Sequence, residues 1–210
     1  PLLRAYRSAL RRADWLSIHG ASEVLVNSRF TQKNVRRIYG LPAEVWYHGV
    51  DVDVFHPLGL RRNRTVLSIG SLTPNKRFDA IIEGIAHVPE EERPSLVIIS
   101  NYAEDEERAY LEDLARDRGV TVTLHTGVTD DALVEAYNRA RMVVYTPVRE
   151  PFGLVPLEAM ACGTPVVGVR EGGVPETVED GLNGLLVNRD PEKLGEAIRT
   201  LLEDDELAER

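Results

Sequence analysis

The sequence predicts an α/β protein built on a Rossmann-like, doubly wound parallel sheet, and three observations carry that expectation. From Thr65 onward, short aliphatic and β-branched runs alternate with longer helix-forming segments, the pattern of parallel strands joined by crossover helices. The runs are bounded by turn residues and nearly continuous in apolar character, as at 142–145, which is how strands buried on both faces read. The chain has 210 residues and 43% hydrophobic content, enough for one substantial core and part of a second unit.

In chain order, residues 2–14 form a basic helix and residues 23–27 a strand. A helix over 31–39 follows, with Ser28 placed to cap it and Gly40 and Pro42 to close it. A short strand spans 45–47, regularity breaks at 49–53, and 57–64 has the composition of a polar linker. The alternation then runs strand 65–69, helix 78–87, strand 95–100, helix 105–118, strand 120–124 and helix 131–140. Strand 142–145, helix 154–161, strand 165–168, strand 184–187 and helix 192–202 complete it. A domain boundary is therefore expected at 57/58, with residues 58–210 as the doubly wound domain.

Composition excludes several function classes. The net charge is −9, with 25 Lys and Arg against 34 Asp and Glu, so non-specific nucleic-acid binding is not indicated. The single cysteine, Cys162, excludes an intrachain disulfide and reads as a packed thiol. No run reaches transmembrane length and no charged-then-apolar signal opens the chain, so a cytoplasmic protein is expected. Arg4, Arg7, Arg11 and Arg12 on the first helix could bring it to an anionic membrane surface as a peripheral protein. The histidines, at 19, 48, 56, 87 and 125, lack metal-ligand spacing, and Asp51-Val52-Asp53 lies in the irregular segment, so no metal site is expected. No G-x-G-x-x-G follows any expected strand, which argues against a dinucleotide-dependent dehydrogenase.

Chemistry concentrates in residues 150–176, EPFGLVPLEAMACGTPVVGVREGGVPE. Here a strand leads through Arg149 and Glu150 into Pro151, Phe152 and Gly153, and then into a helix whose first backbone N–H groups lack partners and favour an anion. Glu158 places a carboxylate in the otherwise apolar helix and needs a hydrogen-bonding partner, which a pair of ribose hydroxyls would supply. Gly172-Gly173 would let backbone approach a ligand closely. A second segment, VLSIGSLTPNKR at 66–77, carries Lys76 and Arg77 to the carboxyl edge of the sheet, where two cations could neutralise a diphosphate beside Gly70. In a third, HTGVTDDALVEAY at 125–137, Thr129 can cap a helix whose first turn holds Asp130 and Asp131.

With these segments in place, the chain resembles the retaining nucleotide-sugar glycosyltransferases of the group 1 class, family four, which have the two-domain GT-B fold. The likeness extends to VLVNSRFTQKNVRRIYG and HGVDVDVF near the start, so it covers nearly the whole chain. It implies that residues 1–57 are the end of the N-terminal, acceptor-binding domain with the hinge, and that 58–210 are the nucleotide-sugar-binding domain. By the same resemblance Glu150 faces the donor sugar, Phe152-Gly153-Leu154 present backbone to sugar and diphosphate, and Glu158 holds the ribose. The base would lie against Gly127 and Val128. Lys76 matches the family's basic clamp, whereas Ser71 stands where an arginine is expected after Gly70, leaving open whether Arg77 supplies that charge.

The implied reaction is transfer of a sugar from a nucleoside diphosphate donor to an unidentified acceptor hydroxyl, with Glu150 and Lys76 as the catalytic residues and no cofactor beyond the donor. The resemblance also implies that the rest of the N-terminal domain precedes this segment and that a final helix is cut short after Leu202, so the chain alone is expected to bind donor without transferring it. Two other readings fit the same residues: a stand-alone nucleotide-sugar-binding module and a GT-B nucleotide-sugar epimerase.

Overall fold

In the computed structural model, which describes residues 2–102 and 104–209, the first unit (Pro1–His48) opens with helix α1 (Leu2–His19). This helix runs five residues beyond the expected end at Asp14, whose Oδ2 accepts from Tyr39 Oη at 2.5 Å. Strand β1 (Leu25–Val26) pairs in parallel with β2 (Glu44–Val45) around helix α2 (Arg29–Tyr39). Ser28 caps α2 by accepting from the Thr31 amide at 3.0 Å, and Gly40 closes it in the left-handed region at φ 72.

The second unit spans Gly49–Arg210, so its boundary falls at 48/49 rather than at 57/58. The reason is that the polar segment before β3 is strapped to the second unit. Asn138 Oδ1 accepts from the Leu58 amide at 2.6 Å, and its Nδ2 donates to the His56 carbonyl at 3.1 Å. Arg62 donates to the Ala140 carbonyl at 2.9 Å and to Thr164 Oγ1 at 2.7 Å, while the Phe55 ring meets the Tyr137 ring edge-on at 5.9 Å.

Strands β3 (Thr65–Ile69), β4 (Ser95–Ser100), β5 (Val122–Thr126), β6 (Met142–Tyr145), β7 (Val166–Val169) and β8 (Gly184–Val187) form one parallel sheet in the order β5-β4-β3-β6-β7-β8. Successive side chains point to opposite faces of a strand, and here both faces are covered. Val66, Leu96, Ile98, Met142, Val144 and Val167 pack into one apolar cluster with helices α3 (Phe78–Ala86), α4 (Asp105–Arg118) and α7 (Pro191–Glu203). Leu67, Ile99, Val143, Tyr145 and Val166 pack into the other with α5 (Asp130–Arg139) and α6 (Val155–Ala161). The Rossmann-like, doubly wound expectation holds. Each fully buried aliphatic side chain, such as Ile81, Ile82 or Ile85, contributes about 1.5–3 kcal/mol by leaving water.

Several details depart from the sequence pattern. Strand β5 begins at Val122 rather than 120, because Val120 turns inward to join the first cluster after the left-handed Gly119. Single 3-10 turns at Pro74–Lys76, Glu90–Glu92 and Val174–Glu176 are too short to show a periodicity. Helical structure continues past Leu202: α7 ends at Glu203, and after Asp204 a short helix α8 (Asp205–Glu209) buries Ala208 in the first cluster.

Candidate functional site

Open parallel sheets bind ligands outside the carboxyl ends of their strands, at the point where strand order reverses. That point lies between β3 and β6, which are joined at only two register pairs, Val66↔Met142 and Leu67↔Val143. Beyond them β3 follows β4 as far as Ile69↔Ile99 and β6 follows β7 as far as Tyr145↔Gly168, so the two strands part. Ser68 satisfies a carbonyl at the parting, its buried hydroxyl donating to the Val144 carbonyl at 2.8 Å. A cleft of about 430 Å³ opens above, and Gly70, Ser71, Lys76, Gly127, Val128 and Glu158 all line it. The sequence-predicted residues from three separate segments are thereby brought to one place. Asn101 and Val155, which were not singled out from sequence, line it as well, as does Asp130, which was expected only to serve the first turn of its helix.

Lys76 reaches its position from the end of the Pro74–Lys76 turn, which is tied to the loop after β6. Thr146 Oγ1 donates to the Arg77 carbonyl at 3.0 Å, and the Val148 amide donates to the Asn75 carbonyl at 2.8 Å. The lysine stem lies across Gly70, where a Cβ would stand 3.3 Å from Lys76 Cδ. Its Nζ ends 2.7 Å from Glu150 Oε2, both side chains being about one-fifth exposed. Glu150 also meets Tyr145, whose phenol is held far above its ordinary range first by burial, then by the Glu150 charge and by the hydrogen bond to it. Tyr145 therefore stays protonated and donates. Its ring is fixed by Gly153, which adopts φ 87 and where a Cβ would fall 2.9 Å from Tyr145 Cε1.

The backbone at Glu150 is unusual. Arg149 stands at φ 50, a left-handed conformation that costs a residue with a Cβ about 1–2 kcal/mol. Its amide donates to Glu171 Oε1 at 3.0 Å, and the Gly173 amide donates to the Glu150 carbonyl at 2.8 Å. The second glycine cluster was expected to approach a ligand; it approaches this turn instead. A Cβ at Gly172 would fall 2.5 Å from the Glu150 carbonyl oxygen, and one at Gly173 would fall 2.2 Å from that of Pro151.

Glu158, on α6, projects into the cleft and accepts from Tyr137 Oη at 2.5 Å. Burial raises its pKa above the ordinary carboxylate value, while the Tyr137 hydrogen bond pulls the other way. The same burial, with the Glu158 charge and hydrogen bond, holds the Tyr137 phenol well above its ordinary value. Burial also pushes the Cys162 thiol up to about 11, so it is a packed and unreactive group, as its apolar context suggested.

Two expectations need correction. Arg77 is not brought to the cleft: it sits in the left-handed region at φ 57, and its guanidinium is spent on Asp79, with Nε and Nη2 bonds of 2.9 and 3.0 Å. Lys76 is the single Lys or Arg lining the cleft among the described residues. The start of α6 also offers fewer free donors than its position suggested, because Pro156 in its first turn has no N–H. Phe152 is buried and contributes backbone and packing, whereas Leu154 is exposed at the helix start. Asp51 and Asp53 have a local explanation, the Asp53 amide donating to Asp51 Oδ1 at 3.0 Å. Among the described residues no group of three or more side chains is placed to hold a metal ion, and no helix is long and apolar enough to cross a membrane.

Comparison with known proteins gives the family and the fold. A family model described as "Glycosyl transferases group 1" matches residues 56–210. The α-maltose-1-phosphate synthase of Mycobacterium tuberculosis is 30% identical over 223 residues, covering 92% of this chain and 57% of the relative. The D-inositol 3-phosphate glycosyltransferase of Xylanimonas cellulosilytica is 35% identical over 210 residues, covering 88% and 50%. Among solved structures, Anabaena HepE in complex with UDP and glucose superposes with a TM-score of 0.85 at 27% identity, over 96% of this chain and 59% of that one. The chain spans about half the length of the curated relatives it matches.

Proposed function

The chain belongs to the group 1 glycosyl transferase family, and from that premise we propose that it is the donor-binding part of a retaining glycosyltransferase that uses a nucleoside diphosphate sugar. The observation that carries this reading is the convergence of one cation and two carboxylates at one sheet crevice, which Lys76 and Glu158 line and where Lys76 Nζ meets Glu150.

Each group suits one part of such a donor. Glu158, with Tyr137 fixing one oxygen, accepts the ribose hydroxyls at the base of α6. Gly127 and Val128, at the end of β5, offer backbone and an apolar side chain to the base. Lys76 stabilises negative charge on the leaving diphosphate as the sugar becomes oxocarbenium-like, the electrostatic work that dominates group transfer. Ser71 adds one neutral hydrogen bond, and the N–H groups around Gly153 and Leu154 add further donors, so the leaving group is served by the protein itself. Glu150, aimed by Tyr145, orients the sugar. The bond from the anomeric carbon to the diphosphate oxygen breaks, the acceptor oxygen bonds to that carbon on the same face, and the acceptor hydroxyl's proton passes to the departing diphosphate oxygen. The likeness to a relative named as a glycosyltransferase and to a structure solved with UDP and glucose supports this assignment.

Calorimetric titration of the chain with uridine, guanosine and adenosine diphosphates and their glucose conjugates tests it. Saturable binding of one nucleotide, lost in Glu158→Ala, is expected, together with no sugar transfer by the chain alone. Equal affinity in Glu158→Ala would remove the ribose role.

A further inference from the structure

Glu150 is held from the side of the sheet opposite Lys76 by two residues that lie beyond the cleft. Glu171 follows β7 and Arg189 follows β8, so both approach the loop after β6 from its outer flank. Glu171 Oε1 accepts from the amide of Arg149, and its Oε2 meets Arg189 Nη1 at 2.6 Å. Arg189 Nη2 donates to the carbonyls of Thr146 at 3.2 Å and Pro147 at 2.7 Å. One carboxylate and one guanidinium thus bond both limbs of the turn that delivers Glu150.

These are not the features of a casual surface ion pair. The Arg189 side chain is 17% exposed, and its Nε is buried without a partner, a desolvation cost that a solvent-facing arginine would avoid. The turn they hold contains a non-glycine residue at positive φ, which persists only where its surroundings over-determine it. Without an acceptor for its amide, Arg149 is free to return to negative φ, and such a rotation at the residue before Glu150 redirects the carboxylate away from Lys76.

We propose that Glu171 and Arg189 are positioning residues, which lock the Arg149–Glu150 turn so that the Glu150 carboxylate stays beside Lys76 and faces the donor sugar. The inference rests on the assignment of Glu150 to the sugar. It predicts that the pair governs affinity for the sugar conjugate over the bare nucleotide, since Glu158 and Gly127 lie outside its reach.

The test uses Glu171→Ala, a change at a partly exposed side chain, with UDP and UDP-glucose as probes and amide hydrogen exchange of the unliganded chain as a second readout. Expected are faster exchange confined to residues 147–153 with the melting temperature little changed, UDP affinity as in the unaltered chain, and UDP-glucose affinity lower by about tenfold, the scale of a misplaced orienting group. Arg189→Lys, which cannot span both the carboxylate and the two carbonyls, should reproduce the exchange change. Unchanged exchange at 147–153 in Glu171→Ala overturns the proposal whatever ligand binds. Equal loss of UDP and UDP-glucose affinity overturns it too, because that is the effect of general destabilisation. If the unaltered chain binds neither probe, the donor reading fails, and the exchange result still decides whether the brace exists.

Discussion

Lys76 Nζ and Glu150 Oε2 lie 2.7 Å apart across the point where the sheet reverses strand order, one residue arriving after β3 and the other after β6. A charge-assisted bond at this depth contributes about 1.5–3 kcal/mol, and it pre-sets the cation where a leaving diphosphate would develop charge. Lys76→Ala should lower turnover in the full-length enzyme by about 10²–10³, the effect of losing one preorganised anion-stabilising donor. Steady-state kinetics check this, and unchanged turnover would remove Lys76 from the reaction.

Arg77 makes the opposite prediction although it is adjacent in sequence. Its guanidinium already bonds both carboxylate oxygens of Asp79, and it is its carbonyl that accepts from the loop that carries Glu150. Arg77→Ala should leave nucleotide affinity within about twofold, and the partly exposed ion pair it removes, screened by solvent, is worth only about 1 kcal/mol of stability. A large loss of affinity in calorimetry would show that the arginine moves to the diphosphate.

Glu158 links binding and stability to pH in opposite senses. Burial raises its folded pKa above the ordinary 4.5, so the folded protein keeps a proton that the unfolded chain has released. Stability gained from the neutral form is fully present below the unfolded value and is lost as pH rises through the folded one. Ribose hydroxyls need the carboxylate as acceptor, so nucleotide affinity should rise over that same window. Glu158→Gln should flatten the stability change in pH-dependent unfolding and abolish the rise in affinity.

Gly153 and Tyr145 separate packing from aim. At φ 87, with Tyr145 Cε1 2.9 Å from a hypothetical Cβ, Gly153→Ala should cost about 1–3 kcal/mol and displace the ring. Tyr145→Phe keeps the ring and removes the donor to Glu150, so it should weaken sugar-conjugate binding roughly fivefold, the worth of about one hydrogen bond, with nucleotide binding unchanged. Comparison of UDP with UDP-glucose titrations distinguishes the two.

The parts legible in the sequence are those where a local pattern and the fold agree. Strands 65–69, 95–100, 142–145 and 184–187 and helix 105–118 appear where their apolar runs and punctuating residues placed them, because burial on both sheet faces leaves no choice of register. Lys76, Glu150 and Glu158 stood out as charges set at the ends or interior of apolar elements. Side-chain direction was not legible: Lys76 and Arg77 are neighbours, yet the left-handed turn at Arg77 swings its guanidinium to Asp79. The partners of the two carboxylates were hidden for a related reason. Tyr137 and Tyr145 drew no reading of their own from the sequence, and only the packing of α5 against α6, and of β6 beneath Gly153, shows that their hydroxyls end on Glu158 and Glu150. A polar-tipped aromatic closing the aliphatic strand 142–145 was the one available signal. The glycines at 172 and 173 announced a close approach, but not that its object is the chain itself.

That last point supports a steric test. Gly173 has φ −89, a conformation open to any residue, so its requirement is purely one of space: a Cβ would lie 2.2 Å from the Pro151 carbonyl oxygen and 2.9 Å from Phe152 Cα. Both are backbone atoms in a turn held by the Gly173 amide and by Glu171, so they cannot yield as a flexible side chain would. Gly173→Ala should therefore destabilise by about 2–3 kcal/mol, the cost of forced overpacking, and weaken UDP-glucose binding at temperatures where the protein remains folded. Gly49→Ala, with nothing within 4 Å of its Cβ, is the control and should change neither. Chemical denaturation and calorimetry on the two variants give the answer: equal stability of Gly173→Ala and Gly49→Ala would mean that the turn relaxes around the methyl group, and Glu150 would then be far less rigidly placed than its contacts indicate.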